Sequence, residues 1–396
     1  MNLLIISQHF WPESFIINNL SEELVRKKVK VQVLTGKPNY LLGNIKKKFK
    51  PFFISRANYK GIKIFRLPII SRGNKSGFRL ALNYLSFIFS GIFFSRFLLK
   101  NKKIDCIFVY ATSPLLQALI GVYLKFTMKT KLIIWVQDLW PEVLIDTKYI
   151  QNKILLKIIN LLVKFIYNSS DLLLAQSDAF KKHLKQKYKL KNVITFENPG
   201  IKNSIKIKKK LGQKIILYTG NIGKAQPFYK IIKIARKIQK ENTIIFKIIG
   251  GGSNYNWLKQ EIKKYDLSKN IILENFKNQK ALKKDYETAD FLLILLSKGF
   301  SFSKTIPNKF QNYLSVGKPI LCIGNGTINK KIIQNKVGFV FNEKKNDTKL
   351  FFNDLSKLSY RNLIKYKYRN TKLFDYNYQL SNKSSDLIKI LKNISS

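Results

Sequence analysis

Acidic side chains are scarce in this 396-residue chain, 22 Asp and Glu against 73 Lys and Arg, so where they fall is informative. The stretch Ile133–Leu144, IIWVQDLWPEVL, sets Asp138 and Glu142 just past an apolar run. A carboxylate at the end of a buried strand can hydrogen-bond a hydroxyl, take its proton or steady positive charge. Asp138 suits that chemistry, with Gln137 beside it. Glu142 follows Pro141 and reads more readily as a first-turn acid favoured by the helix dipole than as a catalytic group. Glu13, in QHFWPES with Trp11 and Pro12, can bind a ligand or cap its own helix. His9 in that stretch is a tempting general base, but a lone His near a strand end is more often structural.

A second set of residues suits an anion. In Tyr218–Pro227, YTGNIGKAQP, a strand ends, Gly220 and Gly223 flank a turn, and a helix follows. Asn221, Lys224 and Gln226 belong to this turn. Backbone amides and the helix dipole favour negative charge at such a junction. Ile248–Ser253, IIGGGS, repeats the arrangement with Gly250 and Gly251 on the next βα unit. Each loop alone fits an ordinary βα turn. Two in succession point to a nucleotide diphosphate, and neither is a Walker loop, because no Gly-Lys-Ser/Thr follows. In IPNKFQNYLSVGKPIL, Pro307 and Asn308 start a helix that Gly317 and Pro319 stop. Asn308 is its expected cap, and Lys309 in the first turn suits a departing diphosphate.

These residues need elements to hold them. Asn2–Ser7, Val29–Thr35, Ile104–Tyr110, Lys131–Val136 and Asp171–Ala175 read as strands, with helices such as Phe15–Lys28 between them. Strand, helix and strand in sequence predict a parallel sheet. A second series follows: Lys214–Thr219, Thr243–Ile249, Asn270–Leu273, Asp290–Leu296, Pro319–Ile323 and Gly338–Phe341. Helices are expected over Gln226–Gln239, Tyr255–Tyr265 and Lys309–Val316. The chain thus reads as α/β with two doubly wound, Rossmann-like domains. We expect a first domain over 1–200, a linker over 201–210 on which the domains hinge, and a second domain over 211–360. Terminal helices over 361–396 could pack back on the first domain. Two such domains place a ligand cleft between the carboxyl ends of their sheets.

Composition excludes some classes. An apolar fraction of 45% supports packed cores rather than wholesale disorder. Cys106 and Cys322 lie far apart in apolar runs and read as free thiols of a reducing compartment. Two histidines are too few for a His-rich metal cluster. The net charge of +51 admits nucleic-acid binding, attraction to anionic lipid, or drift towards Lys, Ile and Asn. The excess runs evenly along the chain, which favours drift, with membrane attraction exploiting it. No nucleic-acid-binding signature is present. The start lacks a basic n-region and cleavage site, so it reads as a strand rather than a signal peptide. Arg79–Leu99 is nearly long enough to span a bilayer, but Arg79, Asn83, Arg96 and several Ser interrupt it. It fits a buried helix or one lying in the interface, with Phe89, Phe93 and Phe94 as lipid contacts.

Taken together, QHFWPES, LTGKPNY, WVQDLWPE, GNIGKAQ and TIPNKFQNYL followed by GKPIL resemble the GT-B sugar-nucleotide glycosyltransferases of family 4. Among them, bacterial enzymes of surface-polysaccharide assembly similar to L-fucosamine transferases match most. The similarity runs in order from Met1 to about Phe341. It implies a donor-binding second domain, an acceptor-binding first domain, no metal or other cofactor, and retention at the anomeric carbon. It also implies Asp138 and Lys309 as catalytic residues, and Trp11, Pro12, Glu13, Gln137 and Glu142 as acceptor contacts. The nucleotide-sugar contacts it implies are the two glycine loops with Asn275, Phe276, Ile306, Pro307, Asn308 and Asn312. The chain departs from the broad family where Asn221 and Gln226 replace an Arg and a Lys, and where Lys304 and Asn312 replace two glutamates. Lys224 and Lys309 can supply the lost cations, and Asn312 can meet the ribose as a neutral acceptor.

The function expected is transfer of a sugar, such as an N-acetylated deoxyhexosamine, from a UDP-sugar to an undecaprenyl-diphosphate-linked saccharide. The place expected is the inner face of the cytoplasmic membrane, the product O-antigen, capsule or other polysaccharide, and no nucleic acid takes part. Two rival readings are a sugar-nucleotide 2-epimerase on the same fold and a non-catalytic basic protein that binds lipid or nucleic acid.

Overall fold

The computed structural model describes residues 1–40, 43–50, 52–73, 76–206, 212–223, 225–278 and 280–395. The chain divides into two compact units, Met1–Pro199 with Leu380–Ser396, and Gly200–Gln379.

The first unit is built on strands β1 (Asn2–Ile6), β2 (Lys30–Thr35), β3 (Ser55–Tyr59), β4 (Ile62–Arg66), β5 (Cys106–Ala111), β6 (Lys131–Val136), β7 (Leu172–Ala175) and β8 (Val193–Thr195). They form one sheet in the order β3-β4-β2-β1-β5-β6-β7-β8, parallel except for β3. Continuous apolar runs such as CIFVYA and KLIIWV fit central strands buried on both faces. The β3–β4 hairpin has no counterpart among the expected strands. Its turn is Lys60-Gly61, with φ of 51° and 82°, a pair of left-handed residues that a two-residue hairpin requires. Helices α1 (Ile16–Arg26), α2 (Gly77–Leu99), α3 (Ala118–Met128), α4 (Glu142–Asp146), α5 (Lys153–Ser169) and α6 (Asp178–Tyr188) connect the strands.

The second unit has a six-stranded, wholly parallel sheet: β9 (Lys214–Asn221), β10 (Ile244–Gly251), β11 (Ile271–Glu274), β12 (Phe291–Leu295), β13 (Ile320–Ile323) and β14 (Gly338–Phe341), ordered β11-β10-β9-β12-β13-β14. Its helices are α7 (Phe228–Lys237), α8 (Tyr255–Lys264), α9 (Leu282–Thr288), α10 (Phe300–Lys304), α11 (Asn308–Val316), α12 (Thr327–Gln334), α13 (Thr348–Ser356) and α14 (Tyr360–Asn377). Each sheet buries a core on both faces.

The expected terminal region divides. Tyr360–Asn377 packs on α11 in the second unit, while the last helix, α15 (Leu380–Ser395), packs on α1 in the first. Leu387 and Leu391 of α15 join the core formed with Leu20 and Leu24 of α1. The start of the expected linker is not free chain. Ile201 N–H donates to Asn312 Oδ1 at 3.1 Å, Ser315 Oγ–H donates to Ile201 O at 2.9 Å, and Ile205 is buried in the second core. The stretch 207–210 lies outside the described residues.

Helix α2 explains its own polar interruptions. Asn83 is fully buried, accepts Gln8 Nε2–H at 2.9 Å and donates to Ile70 O at 2.6 Å. Ser86 Oγ accepts from Ile70 N–H, and Ser90 Oγ–H donates to Pro68 O. These bonds tie one face of the helix to the segment leaving β4. Gly91 lets α3 approach, since a Cβ there would lie 2.3 Å from Ile120 Cδ1. A third face is exposed and aromatic: Phe78, Phe89, Phe93 and Phe97, with Leu85 in the same row. Phe94 is not part of it, because it packs against the core. By length and composition α2 could cross a membrane, but it packs in this unit as the crossover between β4 and β5.

Candidate active site

Two clusters form, one in each unit. In the first, Asp138 follows the end of β6 and is half-buried. Its Oδ2 accepts from Ser113 N–H at 3.0 Å and Ser113 Oγ–H at 2.8 Å. Trp140 Nε1–H in turn donates to Ser113 Oγ at 3.0 Å, fixing the hydroxyl. Burial raises the Asp138 carboxyl above its ordinary value, and the two Ser113 bonds oppose the shift. Among the described residues Oδ1 accepts no hydrogen bond, so one oxygen is held and the other is available to a ligand. Ser113 escaped the sequence reading. Its only signal is the Ser-Pro pair that ends the β5 exit.

Glu13 stands in the loop after β1. One of its oxygens, Oε1, accepts the Tyr40 N–H, and Oε2 lies 3.3 Å from His9 Nδ1. His9 is buried, stacked on Phe15 and edge-on to Tyr40. Burial holds the imidazole below its ordinary value against the pull of Glu13, so a neutral, packed ring fits it better than a working base. Trp11 stacks on Tyr59 with ring centroids 4.5 Å apart, and Pro12 is exposed. Gln137 is buried. Its Oε1 accepts Asn198 Nδ2–H at 2.9 Å, while its Nε2 has no partner among the described residues.

Glu142 is met from α6. Its Oε1 bonds His183 Nε2 at 2.8 Å and accepts from Lys187 Nζ at 2.6 Å. Burial alone would raise this carboxyl, but those two partners carry it down to about 2. Through Oε1 the carboxylate ties α4 to α6, while Oε2 is buried without a partner among the described residues.

In the second unit the two glycine loops abut. The ladder of β9 and β10 runs through Gly220 opposite Gly250 and Asn221 opposite Gly251. A Cβ on Gly250 would sit 1.9 Å from Gly220 O, so only glycine allows this approach. Gly220 itself has φ +130°. Ile222 N–H donates to Gly251 O, and Asn254 N–H donates to Ile222 O, lacing the loops together. Gln226 turns inward: its Oε1 accepts Gly223 N–H at 3.2 Å, which makes it a brace of the loop. Lys224 lies outside the described residues.

Lys309, in the first turn of α11, reaches this point. A Cβ built on Gly220 would lie 2.9 Å from Lys309 Nζ, and the ammonium sits 4.8 Å from the Tyr218 ring centroid. Burial lowers Lys309 to about 8, and among the described residues it makes no ion pair. Pro307, rather than Asn308, occupies the cap position of α11. Ile306 is buried, Asn308 exposed. Asn312 Oδ1 accepts Ile201 N–H, because the chain after Gly200 lies along α11. Asn275 and Phe276 follow β11 and are exposed.

Residues 15–201 match the model for Glycosyltransferase Family 4, and residues 201–359 match the model for Glycosyl transferases group 1. The chain belongs to the family-4 GT-B glycosyltransferases. It is 24% identical over 299 residues to the probable glycosyltransferase WbjE of Pseudomonas aeruginosa, which covers 72% of each. Its fold is similar to that of sucrose-phosphate synthase from Thermosynechococcus elongatus, with TM-score 0.75, 12% identity, and 99% and 98% of the two chains covered. It is also similar to Anabaena HepE in complex with UDP and glucose, with TM-score 0.69, 10% identity, and 99% and 100% covered. As a GT-B glycosyltransferase the chain is an enzyme that transfers a glycosyl group. The glycine loops and Lys309 fall within the group 1 match, and Asp138 and Glu142 within the family-4 match.

Proposed function

We propose that this glycosyltransferase moves a sugar, an N-acetylated deoxyhexosamine such as L-FucNAc, from a UDP-sugar to an undecaprenyl-diphosphate-linked saccharide, without metal and with retention. The observation that carries the donor half is Lys309 Nζ set against Gly220, where two glycine loops meet. An unpaired ammonium and close main-chain approach suit a diphosphate, and they stabilise it most as it departs. The complex of HepE with UDP supports a uridine nucleotide as the carrier. Asp138, with one oxygen fixed and burial raising its proton affinity, suits a group that meets the transferred sugar or the acceptor hydroxyl.

The acceptor half rests on the resemblance to surface-polysaccharide enzymes and on the surface of the first unit. Like α2, helix α5 has exposed apolar side chains, Ile154, Ile158, Leu161 and Phe165, with Lys157 and Lys164 among them. Both helices pack on α3. Apolar rows bordered by lysines suit peripheral attachment to the anionic inner leaflet, where a lipid-linked acceptor would lie.

A panel of UDP-sugars tests this reading. One UDP-sugar should raise the melting temperature and be hydrolysed slowly alone, then rapidly with a lipid-diphosphate saccharide. Excess EDTA should leave turnover unchanged, and the product linkage should keep the donor's anomeric configuration by NMR. If no UDP-sugar stabilises the protein or is consumed, the proposal fails. Isomerisation of the donor alone would replace it with epimerisation.

A further inference from the structure

The motif LTGKPNY carries a lysine that the donor site does not use. Lys37 lies two residues past β2, and it has no exposed surface. Its ammonium donates to Ser55 Oγ at 2.7 Å, and no carboxylate among the described residues pairs with it. A second buried cation stands beside it. Arg66 ends β4, directly across from Ser55 in the hairpin, and is 3% exposed. Its Nη2–H donates to Trp11 O at 2.9 Å, and among the described residues its Nε is buried without a partner and no acid pairs with it. The guanidinium lies 5.5 Å from the Trp11 ring and 5.6 Å from the Phe49 ring.

Two like charges buried together without a counter-ion repel each other and lose hydration. The strain registers on Lys37, which burial, Arg66 and exposed Lys50 bring down to about 8. A fold would be expected to replace one of the two by an apolar residue unless an anion completes the set. The cluster also stands at the carboxyl ends of β2 and β4 beside the loop after β1, where open parallel sheets bind ligands. Bordering it, Lys46–Lys50 reads KKKFK, a positive approach for an anion.

We propose that Lys37, Arg66 and Ser55 form an oxyanion site in the first unit that takes the phosphate or diphosphate group of the acceptor. A guanidinium, an ammonium and a hydroxyl match phosphate oxygens in charge and donor number. The occupant's identity rests on the transfer reading above. Anion binding itself does not, and the two are tested separately.

The test uses the full chain with saturating UDP, which fills the donor site, and measures binding of inorganic pyrophosphate by calorimetry. Wild-type protein should bind it. Lys37→Met and Arg66→Met should weaken binding at least tenfold, with UDP affinity unchanged. Ser55→Ala, which removes a single hydroxyl, should weaken it severalfold and guards against misfolding in the other two. Equal pyrophosphate binding in Ser55→Ala and whichever cation variants fold overturns the site. A second arm measures transfer to lipid-diphosphate saccharide in phosphatidylcholine vesicles. An acceptor KM raised at least tenfold in Lys37→Met, with donor hydrolysis unchanged, supports an acceptor phosphate. An unchanged acceptor KM with lost pyrophosphate binding overturns that assignment and leaves a site for free phosphate.

Discussion

Asp138 and Lys309 are both ionisable groups whose surroundings disfavour charge, and both lack a full set of partners. Replacing Asp138 by Asn keeps the shape and the Ser113 contact but removes the ability to take a proton. We expect kcat to fall by about 100-fold or more while the melting curve is unchanged. Turnover equal to wild type in the folded variant would take Asp138 out of the mechanism. Lys309 makes a pH prediction. Its proton affinity in the free protein is lowered from 10.5 to about 8, so its charge is present below about pH 8 and lost above it. The donor kcat/KM should therefore fall as pH rises through 8, by up to tenfold per unit. Lys309→Arg, which stays charged, should move that limb to higher pH. A flat profile from pH 7 to 10 in the wild type would contradict the role. Glu142 shows the opposite case. Its place after Pro141 already favoured a first-turn acid over a catalytic one, and the partners that hold it, His183 and Lys187, lie some forty residues on, where the sequence gives no sign of them.

At the scale of elements, glycines decide how closely backbones and helices approach. Gly91 seats α2 on Ile120 of α3. Gly91→Leu must push those helices apart or force Ile120 off its rotamer, at a cost of about 1–3 kcal/mol. Combining it with Ile120→Ala should recover part of that loss in chemical denaturation, and no recovery would mean the contact is not what the glycine protects. Apart from β8, whose three residues VIT are too short a run to read, the buried parallel strands were legible element by element, because each is a short apolar run bounded by turn residues. Lys131–Val136 and Gly338–Phe341 match their expected bounds. The β3–β4 hairpin was not legible. Its strands, SRANY and IKIFR, are half polar, and its turn is Lys-Gly rather than Asn-Gly. Arg66 and Ser55 lie on that hairpin, so the cation pair with Lys37 was invisible with it.

For the whole molecule, the membrane attachment we propose would draw on the charge of +51 and on the apolar rows of α2 and α5 together. Basic residues would give long-range, salt-sensitive attraction, and the exposed aromatic and aliphatic side chains short-range insertion. The protein should pellet with vesicles containing anionic lipid at low salt. Replacing Phe89, Phe93 and Phe97 by Ser should weaken this at least fivefold without lowering the melting temperature, since all three are exposed. Partitioning that is unchanged in the triple variant, or equal on neutral vesicles, would remove the membrane role of α2.

The sequence by itself determined that the chain is α/β with two parallel-sheet units, that two glycine loops end successive strands, and that a lysine stands in the first turn of a later helix. Those properties are local: they follow from runs, periods and turn residues within a few positions. Only the tertiary structure decided which charges are paired. Glu142 is neutralised from α6, Asn312 accepts from the chain after Gly200, and Lys37 meets Arg66 across two strands. Electrostatic partners come from distant segments, and their effect depends on burial, so a side chain's work is set by neighbours that its sequence position does not reveal.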